Sequence, residues 1–129
     1  MRLTCERISE GDLAHLAELV ADMRKAADQG DIERLLALDL RIHNSIWQIS
    51  GHKRLLELLT NMIGPIRLFQ VMHIRLYENL VDNVLEHEQL VRALSLGNRA
   101  EAESLMIQHI QEAAATTLEY LGQRRIAEP

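Results

Sequence analysis

The chain has 129 residues, the size of one ordinary domain, and 47% of them are apolar while only 3% are aromatic, so its core is built of Leu, Ile, Val, Met and Ala. A formal net charge of -5 disfavours gripping a phosphate backbone, because nucleic-acid affinity is mainly electrostatic. A single cysteine, Cys5, excludes an internal disulfide framework, and no apolar run approaches the roughly 20 residues of a membrane span. With no secretory hydrophobic region at the N-terminus, the expected location is the cytoplasm.

Residues 1–8 are short and mixed in character. Ser9 and Asp12 have the spacing of a helix cap, and the spacing predicts a helix over 10–29 with the stripe Leu13, Leu16, Val20, Met23 and Ala27, stopped by Gly30. Asp31 caps a second helix over 31–50, striped by Ile32, Leu35, Asp39, Ile42 and Ile46 and closed near Gly51. A third helical region, 53–78, carries Leu55, Leu56, Leu59 and Met62, then Phe69, Met72 and Leu76. Gly64-Pro65 is expected to break it, because proline removes a helix hydrogen bond. A fourth helix, 80–96, repeats Leu80, Val84, His87, Val91 and Leu94 before Gly97. Asn98 and Glu101 open a last helix over 99–121 with Ala102, Met106, His109, Ala113, Thr116 and Tyr120 on one face, and the polar tail 123–129 is expected to fray. Nothing alternates with period two for long enough to argue for a strand. The expected fold is an all-α, antiparallel bundle of five or six helices forming one domain, residues 1–129.

Four polar residues interrupt the apolar stripes. His87 and His109 stand where leucine belongs, and His43 follows Asp39 by one helical turn, about 40° around the axis, so both face one point. An ionised carboxylate among apolar side chains is costly unless it is paired or bound to a metal. One carboxylate and three imidazoles suit zinc, nickel, manganese or iron better than calcium, with zinc or nickel favoured, and leave room for a water or ligand oxygen. Taken singly, each is read as a hydrogen-bonded core residue, and a polar network without metal is the competing view of the set. The other histidines carry no such pattern: His15 lies off its stripe, His52 sits at a helix junction, and His73 flanks a stripe without a close acidic partner.

Other chemistry has little to build on. Glu-x-x-His is missing, His87-Glu88 is not followed by the histidine of a zinc-protease motif, no glycine-rich phosphate loop occurs, and Arg124-Arg125 reads as a solvated pair. A small metal-dependent hydrolase using a metal-bound water is the alternative function, but it needs a general acid or base that the sequence does not single out, so a non-enzyme is expected.

The motifs also have an order. Gly30-Asp31 before a helix, the run Asp39 to His43, Ser50-Gly51 before a Leu-rich helix, Glu86-His87, Leu96-Gly97-Asn98, and Ala102 through His109-Ile110 resemble the FadR C-terminal ligand-binding domain (FCD) of GntR-family transcription regulators along nearly the whole chain. The resemblance implies an all-helical bundle in which Asp39, His43, His87 and His109 bind one divalent metal. It further implies that the metal helps hold a small organic acid, that binding shifts a paired winged-helix domain on DNA, and that two copies form a homodimer. Ile42 stands where an aromatic residue is commoner. The segment Leu3 to Leu13 resembles the end of the domain's first helix and the start of the next, so the chain is expected to begin inside the domain and to meet DNA only through a winged-helix domain that it lacks. A cavity is expected beside the metal, with Asn83, one turn before His87, and Arg67, just after Pro65, as the partners of an effector carboxylate.

Overall fold

A computed structural model describes residues 1–77 and 79–127, with side chains to residue 123. Seven helices are found among them: α1 (Arg2–Arg7), α2 (Glu10–Asp28), α3 (Ile32–Ile49), α4 (Lys53–Asn61), α5 (Ile63–Ile74), α6 (Leu80–Ser95) and α7 (Arg99–Ala127). The described residues form no strand, and the fold is the expected all-α bundle. Position 78, the Arg124-Arg125 side chains, and Glu128 and Pro129 of the tail lie outside the described residues.

Local signals set the helix ends. Ser9 and Asp12 form a reciprocal capping box, Ser9 Oγ accepting from Asp12 N and Asp12 Oδ2 accepting from Ser9 N, which satisfies two otherwise orphaned donors. Asp31 accepts from Arg34 N, and Asn98 accepts from Glu101 N. Gly51 turns the chain after α3 at φ +62, and Arg7 lies so close that a β-carbon there would meet its guanidinium.

Residues 2–7, which carry no periodic signal of their own, are helical, as the resemblance of Leu3 to Leu13 to a helix end implies: α1 is fastened by Thr4 Oγ1 donating to Ile46 O at 3.1 Å and Arg7 Nη1 donating to Ser50 O at 2.6 Å. Two elements depart from expectation. The third helical region breaks at Met62, upstream of Gly64-Pro65, which fall in the first turn of α5. Proline has no N–H to give to the carbonyl four residues earlier, but first-turn N–H groups need no partner within the helix, so the interruption moves upstream. On α7 the buried row runs Ala102, Met106, Ala113, Thr117, so Thr116 and Tyr120 are exposed, and the helix continues to Ala127 instead of ending near 121. Four residues on from Ala113, rather than three, keeps the row facing α6.

The core gathers the inner faces of α2, α3, α6 and α7, with α2 packed on both α3 and α6 and α7 on α6. Leu16, Met23, Leu35, Ile42 and Val84 are fully buried. Arg24 and Glu88 join α2 to α6 at 2.8 Å. The helix α4 contacts α3 and α5 and buries no residue completely, so α4 and α5 flank the bundle instead of completing its centre. Truncating Leu16 to Ala should cost about 2–5 kcal/mol, whereas Ser9→Ala should cost about 1 kcal/mol through the lost cap; urea unfolding followed by circular dichroism measures both.

Candidate metal centre

Asp39 and His43 project from one face of α3, His87 from the middle of α6, and His109 from α7. All three helices turn these positions inward because the neighbours one turn away are core residues: Leu35 and Ile46 on α3, Val84 and Val91 on α6, Met106 and Ala113 on α7. The four side chains meet, with one ligand-capable atom from each lying within 4.8 Å of the others. Asp39, His43 and His87 are buried, and His109 is nearly so. The imidazole centroids are 5.0 to 5.5 Å apart.

The tautomers follow from the partners. His87 Nδ1 lies 2.8 Å from the carbonyl oxygen of Asn83, which can only accept, so Nδ1 carries the proton. His109 Nδ1 donates to Glu86 Oε2 at 2.7 Å. Both rings therefore present Nε2 to the cluster when neutral. His87 Nε2 stands 3.1 Å from Asp39 Oδ1, yet the contact does not have the alignment of an N–H···O bond and Nε2 has no hydrogen-bond partner. His43 Nε2 lies 3.9 Å from Asp39 Oδ2.

Electrostatics sharpen the picture. Burial alone would raise the Asp39 carboxyl, but the close approach and charge of His87, followed by His43 and His109, outweigh it and hold the group well below the usual carboxylate range. Burial pushes His43 down to about 4 against the pull of Asp39. His87 moves the other way: burial opposes its protonation, but Asp39 beside it prevails and raises it. Glu86 would be raised by burial, but its bonds to His109 and Tyr77 hold it below its ordinary value.

Donor set and spacing fit a divalent ion. Donors about 2.1 Å from a common ion lie roughly 3.0–3.4 Å apart when adjacent and about 4.2 Å apart when opposite, so the His87–Asp39 pair already has ligand spacing.

Beside the cluster lies a cavity of about 540 Å³, within the range of small-molecule sites. Asp39, His43 and His109 line one part of it together with Asn83, Gln70 and His73. Asn83, singled out from sequence, is buried on the wall with Oδ1 unpartnered. Arg67 is corrected: it is exposed on α5 and does not line the cavity. Ile66, Phe69, Gln70 and His73 take the inward positions of that helix, and Arg67 is turned about 100° away from Ile66.

Sequence reasoning missed Gln70, whose Nε2 donates to Asp39 Oδ2. It also passed over Glu86 as a partner for His109, and over the chain His73 Nε2–Tyr77 Oη (3.2 Å) and Tyr77 Oη–Glu86 Oε1 (2.9 Å) that continues from it. The adjacency of Glu86 to His87 was the available signal, since a carboxylate 100° off the stripe reaches the neighbouring helix. His15 is exposed, and His52 caps α4 by accepting from Leu55 N at 3.1 Å.

The FCD domain family model matches residues 1–112. The chain belongs to the FCD domain family. The solved structure of E. coli McbR/YncC is similar in fold, with a TM-score of 0.78 at 18% identity over 92% of this chain. That match spans 60% of the solved chain's length. Comparison with curated protein sequences gives no match. No helix among the described residues is long and apolar enough to cross a membrane.

In chelator-treated protein the cluster should respond to acid with opposing signs. His43, whose folded pKa is lowered, favours folding least at acid pH: its contribution is lost as pH falls from the unfolded value near 6.5 to about 4. His87, whose folded pKa is raised, contributes below 6.5 and loses that contribution as pH rises through its folded value. His43→Gln should therefore flatten the fall in melting temperature between pH 6.5 and 4, measured by circular dichroism; an unchanged slope would remove His43 from this account.

Proposed function

We propose that Asp39, His43, His87 and His109 hold one divalent ion, zinc or nickel favoured, and that the domain senses a small carboxylate effector in the adjoining cavity. The observation that carries the reading is the buried Nε2 of His87, facing Asp39 Oδ1 at 3.1 Å while Nδ1 is held by the Asn83 carbonyl. With Nε2 deprotonated the two buried acceptors repel, so the pair calls for a cation between them: a proton in the metal-free protein, a divalent ion in the loaded one. The Nδ1–H bonds of His87 and His109 orient both rings, as ligand imidazoles require, while His43 rests against the His109 and His87 rings.

When bound, the ion supplies a Lewis-acidic position for one carboxylate oxygen. The chain supplies the remaining contacts. Gln70 holds Asp39 from α5, and Asn83 offers a buried amide on the wall; that amide, which also bonds Tyr77, carries the N–H donors an effector carboxylate needs. Membership of the FCD family supports a sensing role, and we extend it to coupling with DNA through a winged-helix domain of the same regulator. Hydrolysis is the weaker reading, because a metal-bound water needs a free base. Glu86, the nearest further carboxylate, is engaged by both His109 and Tyr77.

Elemental analysis of protein purified without added metal should find about one equivalent of a transition metal. His87→Ala and His109→Gln should each lower that content, with a lower melting temperature. Full metal content in both variants would end the assignment. Screening small carboxylate esters and lactones for turnover separates sensor from hydrolase.

We also propose a homodimer. Support comes from the two-fold assemblies implied by the family and from an exposed apolar row on α7, formed by Ile107, Ile110, Leu118 and Leu121 at turn spacing. Sedimentation equilibrium should show a concentration-dependent dimer that Leu118→Glu weakens, and a monomer at all concentrations would contradict it.

A further inference from the structure

The cavity wall is mostly apolar, and its polar side chains are gathered at the cluster. Each belongs to the cluster or is tied to it: Gln70 through Asp39, Asn83 through His87, His73 through Tyr77, Glu86 and His109, and Trp47 through the His43 ring beside it. The rest of the wall is apolar. The helix α4 contributes Leu55 and Leu59, and α7 adds Ile110. The helix α5 contributes Met62 at its cap, then Pro65, Ile66 and Phe69, and in its second half Gln70, His73 and the buried Ile74, so its polar lining residues fall away from α4. Neither lysine nor arginine lines the cavity among the described residues.

From this division we infer that the effector is an amphipathic monocarboxylate: a single carboxylate at the cluster and an unbranched or aromatic apolar body running toward α4. The inference deepens the sensing role proposed above and rests on it for the carboxylate end. A dicarboxylate or tricarboxylate would leave an anionic group against Leu59, Ile66 and Phe69 with no lysine or arginine side chain on the wall to receive it, which burial penalises. A polyhydroxy acid would likewise strand its hydroxyls, since the apolar part of the wall offers no side-chain partners. The length is also set. Met62 to Gln70 spans eight helical steps of 1.5 Å, roughly 12 Å, and at about 1.25 Å of projection per carbon–carbon bond of about 1.5 Å that is a chain of roughly eight to ten carbons.

The test is calorimetric titration of the metal-loaded chain with acetate, butyrate, hexanoate, octanoate and decanoate, beside succinate and citrate, all below their aggregation limits. Each added methylene should tighten binding about fourfold, from about 0.8 kcal/mol per buried CH₂, levelling near eight to ten carbons, with octanoate well ahead of succinate and citrate. A dissociation constant independent of chain length, or citrate or succinate binding more tightly than octanoate, overturns the inference while leaving the metal assignment standing. Leu59→Gln, at a half-buried position that tolerates a polar side chain, should weaken octanoate about tenfold and leave acetate unchanged. Octanoate binding that variant as tightly as the original places the alkyl chain elsewhere and overturns it too. Chelator-stripped protein separates the two proposals: octanoate binding undiminished there, with the chain-length dependence intact, supports the apolar cavity and removes the ion from the effector site.

Discussion

A carboxylate and an imidazole nitrogen, both buried, face each other at 3.1 Å in the centre of this bundle, a pair that demands a cation between them. Asp39 occupies a stripe position on α3 between Leu35 and Ile42, and His87 occupies one on α6 between Val84 and Val91. Replacing the set with leucine would close the core. Keeping it obliges the surrounding residues to manage one negative charge and three rings in a medium where each unpaired polar group costs on the order of 1–3 kcal/mol. Much of the local architecture answers that obligation: the Asn83 carbonyl fixes one ring, Glu86 fixes another, Tyr77 steadies Glu86, and Gln70 takes the outer carboxylate oxygen.

The same constraint explains why α4 and α5 sit where they do. A core centred on three ligand-bearing helices cannot interdigitate like an all-leucine seam, and a space of about 540 Å³ remains beside it. The helix α5 covers that space with two duties: its first turns supply apolar wall, and its last two supply Gln70 and His73 beside the buried Ile74. Pro65, in its first turn, separates α5 from α4 and lets the two helices take different directions around the opening.

The bundle was legible in the sequence because its evidence is periodic. Leucine spacing, the Ser9-Asp12 box and glycines after α2, α3 and α6 mark helices through local chemistry that tertiary context did not override. Asp39, His43, His87 and His109 were legible for the same reason: each breaks a stripe at a position that periodicity says is buried, and the structure brings the four together. What escaped was off the stripes. Glu86 stands about 100° from the inward direction of His87, and Gln70, though it shares the inward face of α5 with Ile66 and His73, is off the apolar stripe read from sequence; in both cases the approach of another helix decides what is touched. Arg67 was assigned inward on the strength of a presumed kink at Pro65, and it failed because the break falls at Met62, leaving α5 regular through that turn. The short α1 was legible only through the family resemblance of Leu3 to Leu13, because six residues carry too little period; what holds it is tertiary, through Thr4 and Arg7 on the end of α3.

An effector at this site would touch the parts of the fold with the least other support. The ligand-bearing helices α3, α6 and α7 are joined to the core by buried apolar faces, whereas α4 buries no residue fully and α5 buries only Ile74. A carboxylate bound at the cluster would reach α5 through the Gln70–Asp39 bond, and an apolar body would add contacts to Leu55 and Leu59 of α4. Binding free energy would thus fall on the least stabilised elements, which are also those whose position a ligand can change, since a ligand shifts an equilibrium only by its differential contacts with the two states. The core of α2, α3, α6 and α7 would stay as it is and serve as the frame against which α4 and α5 are read. In this arrangement the buried carboxylate that complicates the core is also the feature that links the core to its most responsive helices.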